Sequence, residues 1–198
     1  VAKSTYDMIV AGTKAEDILI ETPFKKLDLL PSNINLAGAE LELAVLEKRE
    51  AILKNALAPI QAQYDFIFFD CPPSLGLITL NAITASDSFI VPIQCEYYAL
   101  EGLSQLMATV RTIKRLYNPL IELEGVLLTM YDGRLNLTQQ VVAEVKNFFP
   151  KKVYATVIPR NVRLSEAPSF GEPVIYYDRA SRGSESYTAL AEEFLRMN

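Results

Sequence analysis

Strand-like and helix-like segments alternate along the chain. Short apolar runs end on polar residues or prolines, and longer stretches rich in Ala, Leu, Glu and Lys lie between them. The pattern predicts a short strand at Leu27–Leu30, stopped by Pro31, and a long helix over Leu36–Gln63 with Ser32 or Asn33 as its cap. A strand over Asp65–Asp70 and a helix near Leu75–Thr84 follow. Strand Ser88–Ile93 precedes a helix from about Leu100 to Tyr117, closed by Asn118-Pro119. Strand Glu124–Met130 leads to a helix near Thr138–Phe149, closed by Pro150. Strand Val153–Ile158 runs into Pro159. An irregular stretch, Arg160–Asp178, ends in a helix near Ser184–Met197. This βαβα order implies an α/β fold, a mainly parallel sheet with helices on its faces. No linker, repeat or low-complexity stretch interrupts it, so the expectation is one domain or part of one.

The segment YDFIFFDCPPSLG, Tyr64 to Gly76, is the most informative. Its run Phe66-Ile67-Phe68-Phe69 is apolar on both faces, as in a strand buried in a parallel sheet. The run ends on one carboxylate, Asp70. Pro72 and Pro73 then stop the strand, because neither can donate to a ladder. Open α/β sheets bind ligands at the carboxyl ends of their strands. In phosphate-binding folds an acid placed there holds Mg²⁺, usually through water. An Asp at a strand end can equally do no more than cap a turn.

Composition narrows the chemistry. At 198 residues and 50% hydrophobic content, one domain with a sizeable core is the default. No apolar run approaches the ~18–20 residues of a membrane span. The first residues, VAKSTYDMIV, lack signal-peptide features. The expectation is a cytosolic protein. There is no histidine, which excludes Ser-His-Asp and Cys-His catalysis. Cys71 and Cys95 sit in strand-like runs and read as small buried hydrophobes rather than metal or disulfide partners. The net charge of −5 hides an asymmetry: Arg111 to Arg163 holds nine basic and four acidic residues. Such a segment is either a polyanion site or ordinary helix surface.

Five strings then coincide: LDLLPSNINLAGAELEL, YDFIFFDCPPSLGLITLNAITASD, PIQCEYYALEGLSQL, EGVLLTMYDGRLNL and VYATVIPRNVRLSEAPSFGEPVIYYD. In this order, and almost end to end, they resemble the ParA/Soj family of chromosome- and plasmid-partitioning ATPases. DCPPS alone also fits the MinD and nitrogenase iron-protein relatives. One departure matters. The family opens with a Gly-rich P-loop, KGGxGKT, and a second strand ending in an Asp-Pro switch. Here the early glycine, Gly12 in AGTKAED, lacks the GxxxxGK[ST] spacing. The resemblance therefore implies a P-loop NTPase-like domain over residues 1–198, N-terminally truncated, lacking its first strand–P-loop–helix–strand unit.

The resemblance also implies roles. Asp70 matches the Walker-B-type acid, near Mg²⁺ and the attacking water but not bound to the metal directly. Pro72, Pro73, Ser74 and Gly76 match the switch that answers to the γ-phosphate. Gln94, Glu96 and Glu101 fall towards the dimer interface, while Tyr97 and Tyr98 read as packing aromatics. Met130, Pro159, Arg160 and Asn161 match loops of the adenine pocket. Arg134 and Arg163 match positions that present basic side chains to DNA phosphates without sequence preference. Lys151 and Lys152 could extend that patch, though solvated surface suits them better.

The function so implied is DNA partitioning. ATP and Mg²⁺ close a homodimer, the dimer binds non-specific DNA, and a ParB-type centromere-binding partner stimulates hydrolysis, all in the cytoplasm on the nucleoid. Without the P-loop cradle this chain is not expected to hold Mg·ATP tightly by itself. The alternative is a non-enzymatic, P-loop-less interaction module of the same family. A MinD-like membrane-cycling ATPase would need a basic amphipathic C-terminal helix. The chain ends YTALAEEFLRMN, with Glu192-Glu193, and argues against a membrane partner.

Overall fold

The computed structural model describes residues 3–72, 74–96 and 99–198, which form an α/β fold. The chain divides into two units, Val1–Asp87 with Ala108–Ile121, and Ser88–Met107 with Glu122–Asn198.

In the first unit, α1 (Thr5–Ala11) starts at Ser4, whose N–H the Asp7 carboxylate accepts at 2.7 Å. Two short strands, β1 (Ile20–Glu21) and β2 (Asp28–Leu29), pair antiparallel. The strand expected at Leu27–Leu30 is thus shorter and lies outside the parallel sheet. The long helix expected over Leu36–Gln63 is also broken up. Asn33 caps a 3-10 turn at Ile34–Gly38, accepting from Asn35 N at 2.9 Å. Then come α2 (Ala39–Leu43), a turn at Arg49–Ala51 and α3 (Ile52–Leu57).

Lys48 adopts a left-handed φ of 51°, which a continuous helix does not allow. Asn81, fully buried on α4 (Leu77–Ala85), stabilises the break. Its amide accepts from Leu53 N at 3.1 Å and donates to Arg49 O at 2.7 Å. A tertiary partner thereby satisfies backbone groups that a continuous helix would pair internally. Met8, Leu43, Leu53, Leu57, Ile60 and Ala82 close this unit's core.

The strand expected at Asp65–Asp70 does not form: the segment belongs to neither sheet. Phe66 is 43% exposed and Phe68 71% exposed. A run apolar on both faces becomes a buried strand when strands flank it and helices cover it. The described residues place no strand beside it.

In the second unit, β3 (Ser88–Gln94) and β4 (Glu122–Thr129) are parallel, with Val91 opposite Val126 and Gln94 opposite Thr129. Helix α5 (Ala99–Leu116) connects them. Residues 152–159 run along the other side of β4, also parallel, bridging Val153 to Val126 and Pro159 to Tyr131. β4 is therefore central, and its residues 125–128 are buried. Val126 and Leu128 meet Val91, Ile93, Leu103, and Val141 and Val145 of α6 (Asn136–Phe148). Leu127 meets Tyr154, Ile158, Leu190 and Phe194. The irregular stretch contains α7 (Val162–Glu166) and α8 (Val174–Tyr177), and α9 (Arg182–Met197) ends the chain.

Gly125 leaves room for the Tyr154 ring, which a Cβ there would meet at 2.5 Å. The strand expected over Val153–Ile158 pairs with β4 only at its ends. Between them, the Glu193 carboxylate on α9 accepts from Ala155 N at 2.6 Å and Thr156 N at 2.8 Å. Burial pushes the Glu193 carboxyl up, but the hydrogen bonds from Thr156 and Ala155 outweigh it, leaving the group below its ordinary value.

A carboxyl lowered in the folded state contributes stability above its unfolded pKa, and that stability fades as pH falls through the folded value. Glu193→Gln is therefore expected to cost roughly 1 kcal/mol at neutral pH. In denaturant titrations over a pH series, the gap from the parent should close as the medium becomes acidic. An equal gap at every pH would show that the carboxylate charge contributes nothing.

Candidate functional site

Asp70 and Pro72 are exposed on the segment leading to α4. Ser74, also exposed, accepts at its carbonyl from Thr79 Oγ1 at 2.6 Å. Gly76 caps α4 at its N-terminus. A Cβ at Gly76 would collide with the Glu40 carboxylate, so only glycine allows this approach. Glu40 Oε1 also lies 3.5 Å from Ile78 N. A negative charge there faces the positive end of α4. Glu40 was not singled out from the sequence, where it is one of several acids on a helix-like stretch. Pro73, Tyr97 and Tyr98 lie outside the described residues, as does the side chain of Glu101 in α5.

The second unit carries the other candidates. Gln94 ends β3, and Cys95 N bonds Thr129 O at 3.1 Å, extending the pairing by one residue. Met130 follows β4 with a left-handed φ of 51°, unusual for a residue other than glycine. Tyr131 N then bonds Ile158 O at 3.0 Å and pairs with Pro159, so Met130 and Pro159 leave neighbouring chain segments at the same level. Arg160 Nη2 reaches Glu96 Oε1 at 3.0 Å. Asn161 caps α7, its Oδ1 accepting from Arg163 N at 2.9 Å. The loops after β3, β4 and residues 152–159 thus emerge on one edge of this unit's sheet.

Both DNA-candidate arginines lie on that edge, and both are engaged by carboxylates. Asp132 accepts from Arg134 Nε at 2.9 Å and Nη2 at 2.6 Å. Arg163 sits between Glu166, at 2.7 Å, and Asp178, at 3.1 Å. Lys151 and Lys152 do not extend this patch. Lys152 O accepts from Val126 N, midway along β4. Tyr131 lies five positions beyond Val126, which separates Lys152 from the arginine edge by roughly 15 Å.

Residues 1–123 match the family described as AAA domain. The chain is 56% identical over 193 residues to the sporulation initiation inhibitor protein Soj of Bacillus subtilis, covering 98% of this chain and 76% of that protein. It is 50% identical over 191 residues to the chromosome partitioning protein ParA of Myxococcus xanthus, covering 96% of this chain and 68% of that protein. The chain belongs to the ParA/Soj family of chromosome-partitioning ATPases. Its fold also matches a crystal structure of cobyrinic acid a,c-diamide synthase from Mycobacterium smegmatis, which holds ADP and magnesium. There the TM-score is 0.82 at 34% identity, over 98% of this chain and 71% of that one.

The ParA/Soj relationship raises the question of which residues here fit a nucleotide and its metal. Mg²⁺ takes about six oxygens in an octahedron. Among the described residues, no three Asp, Glu or Cys side chains gather to hold a metal. Asp70 alone does not complete such a site. The Met130 and Pro159 loops offer apolar walls next to backbone amides, which suits a flat base better than a charged group. Among the described residues no helix is long and apolar enough to cross a membrane.

Hydrogen bonds from Arg134, first its side chain and then its backbone N–H, hold the Asp132 carboxyl down at about 2. Carboxyl NMR titration should find Asp132 at that low midpoint in the parent and raised only part of the way towards an ordinary aspartate in Arg134→Ala, which keeps the backbone N–H. An unchanged midpoint in the variant would assign the shift to another group.

Proposed function

We propose that this chain is the larger part of a DNA-partitioning ATPase domain whose phosphate-binding segment lies outside these 198 residues. In the complete protein, ATP and Mg²⁺ drive dimerisation, the dimer binds DNA without sequence preference, and a ParB-type partner stimulates hydrolysis. It acts in the cytoplasm, on the nucleoid. One observation carries the reading. Gln94, Glu96, Met130, Arg134, Pro159, Arg160, Asn161 and Arg163 all lie at or after strand ends on one edge of the parallel strands. That is the edge where open α/β sheets bind ligands.

In this reading Met130, Pro159, Arg160 and Asn161 contact the base. Gln94, Glu96 and Glu101 face the second subunit. Asp70 stands near the metal through water, and Pro72, Pro73, Ser74 and Gly76 form the switch behind it. Arg134 and Arg163 contact DNA phosphates, for which a guanidinium fork is well shaped. The exposed Phe66 and Phe68, in a run suited to a central strand, support a larger sheet in the complete domain.

A second reading is a non-enzymatic module of the same family. The sequence favours it in one respect: the 198 residues contain no GxxxxGK[ST]. Phosphate-loop amides and lysine supply most of the charge stabilisation in phosphoryl transfer. This chain alone is therefore expected to release no phosphate above background from Mg·ATP, with or without duplex DNA. Turnover that disappears in Asp70→Ala would reveal a second phosphate site.

DNA binding is tested separately. Arg134→Glu and Arg163→Glu should each weaken binding to two unrelated duplexes alike, with a shallower dependence on salt. Loss on one duplex only would mean base contacts. Parent-like affinity and slope in both variants would place the DNA surface elsewhere.

A further inference from the structure

The edge that carries Arg134 and Arg163 is not a polycation as folded. Its ion-paired groups are Arg134, Arg160 and Arg163 against Glu96, Asp132, Glu166 and Asp178, which leaves a net charge of −1. The pairings also use the donors that phosphates need. Asp132 takes the Nε and Nη2 of Arg134, the side of the fork that bonds a phosphate bidentately. Arg163 gives Nη1 to Glu166 and Nε to Asp178.

The carboxylates are the better-fixed partners. The Asp132 side chain is 25% exposed against 88% for Arg134, and it also accepts from Arg134 N at 3.1 Å. Glu166 accepts from Tyr177 Oη at 3.2 Å, and the Tyr177 ring stacks on Phe170. So Asp132 is anchored by a backbone bond and Glu166 by a second side chain.

We infer that Asp132, Glu166 and Asp178 are built-in competitors of the DNA backbone. They hold the two arginines in a self-neutralised state, and a phosphate must displace them to bind. The inference rests on the DNA reading given above. It assigns functions to three acids that the basic-residue pattern leaves aside. Each exchange swaps a carboxylate for a phosphate on the same guanidinium donors. The net gain per arginine is then smaller than a free arginine would provide.

The test uses the complete protein, with its phosphate-binding segment and with Mg·ATP present, and fluorescence anisotropy on two unrelated duplexes at low salt. The variants are Asp132→Asn, Glu166→Gln with Asp178→Asn, and all three together. Glu144→Gln, an exposed acid of α6 hydrogen-bonded to neither arginine, controls for net charge alone. Each set of carboxylate changes should tighten binding about two- to fivefold beyond the control, and the combination by roughly tenfold. The gain from Asp132→Asn should vanish in an Arg134→Ala background.

Carboxylate variants that bind no tighter than Glu144→Gln, while Arg134→Glu and Arg163→Glu still weaken binding, would overturn the competition and leave the DNA reading intact. A gain that persists without Arg134 would overturn it too, because the acid would then act only as bulk charge. If Arg134→Glu and Arg163→Glu bind like the parent, or if no form of the complete protein binds either duplex with Mg·ATP, the DNA reading itself fails and the competition with it.

Discussion

The parallel alignment of residues 152–159 along the far side of β4 is the constraint on which the candidate site depends. Bonds at Val126 and Tyr131 fix both ends of that alignment. Because β3 pairs with the other side of β4, three chain segments finish at the same level. Met130, Pro159 and Glu96 come from positions far apart in sequence and share one edge for that reason alone. Slipping residues 152–159 by one would turn Tyr154 away from Gly125 and reverse every side chain after it. The fit between the Tyr154 ring and Gly125 therefore holds the register as well as filling the core.

Much of this architecture was legible in the residue pattern, and the exceptions have identifiable causes. The strands β3 and β4, and helices α5, α6 and α9, lie within about two residues of where the apolar pattern puts them. These are long, strongly patterned elements. The segment 36–63 misled because its Ala-, Leu- and Glu-rich composition fits a helix throughout. What divides it is Asn81, some thirty residues away, acting on Arg49 and Leu53. Propensity carries no information about such a contact. At 65–70 the pattern reports what the residues suit, a buried strand, while the fold of these 198 residues leaves the run outside any ladder. The bulge at Ala155–Thr156 was hidden for the opposite reason. Its backbone donors are satisfied by Glu193, which the sequence presents as one of a solvent-facing acidic pair.

The site residues divide in the same way. Strand ends followed by proline, as at Pro159, and the acid closing an apolar run, as at Asp70, can be read from local order. Their partners cannot. Glu40 approaches Gly76 because α2 packs against α4, and Arg160 meets Glu96 because two loops share an edge. The excess of basic residues between Arg111 and Arg163 left a polyanion site and ordinary helix surface both open. The fold separates it: Lys152 lies beside the middle of β4, and the arginines lie beyond its end. Charge counted along a sequence is a poor guide to charge gathered in space when parallel strands send alternate connections to opposite edges.

Electrostatics at the arginine edge also bears on reversibility. A chain of net charge −5 repels a polyanion at long range, but ions at physiological strength screen that repulsion beyond about 8 Å. Affinity then rests on contacts closer than the screening length, where individual guanidinium groups act. In the proposed DNA-bound cycle each guanidinium returns to a carboxylate on release, so the arginines would leave DNA without passing through an unpaired state. The released form is stabilised by the same fork geometry that stabilises the bound one. Weak, sequence-independent contacts with such a return path favour rapid exchange over tight retention. Such behaviour fits the proposed cycle, in which a grip on DNA is surrendered on a partner's signal.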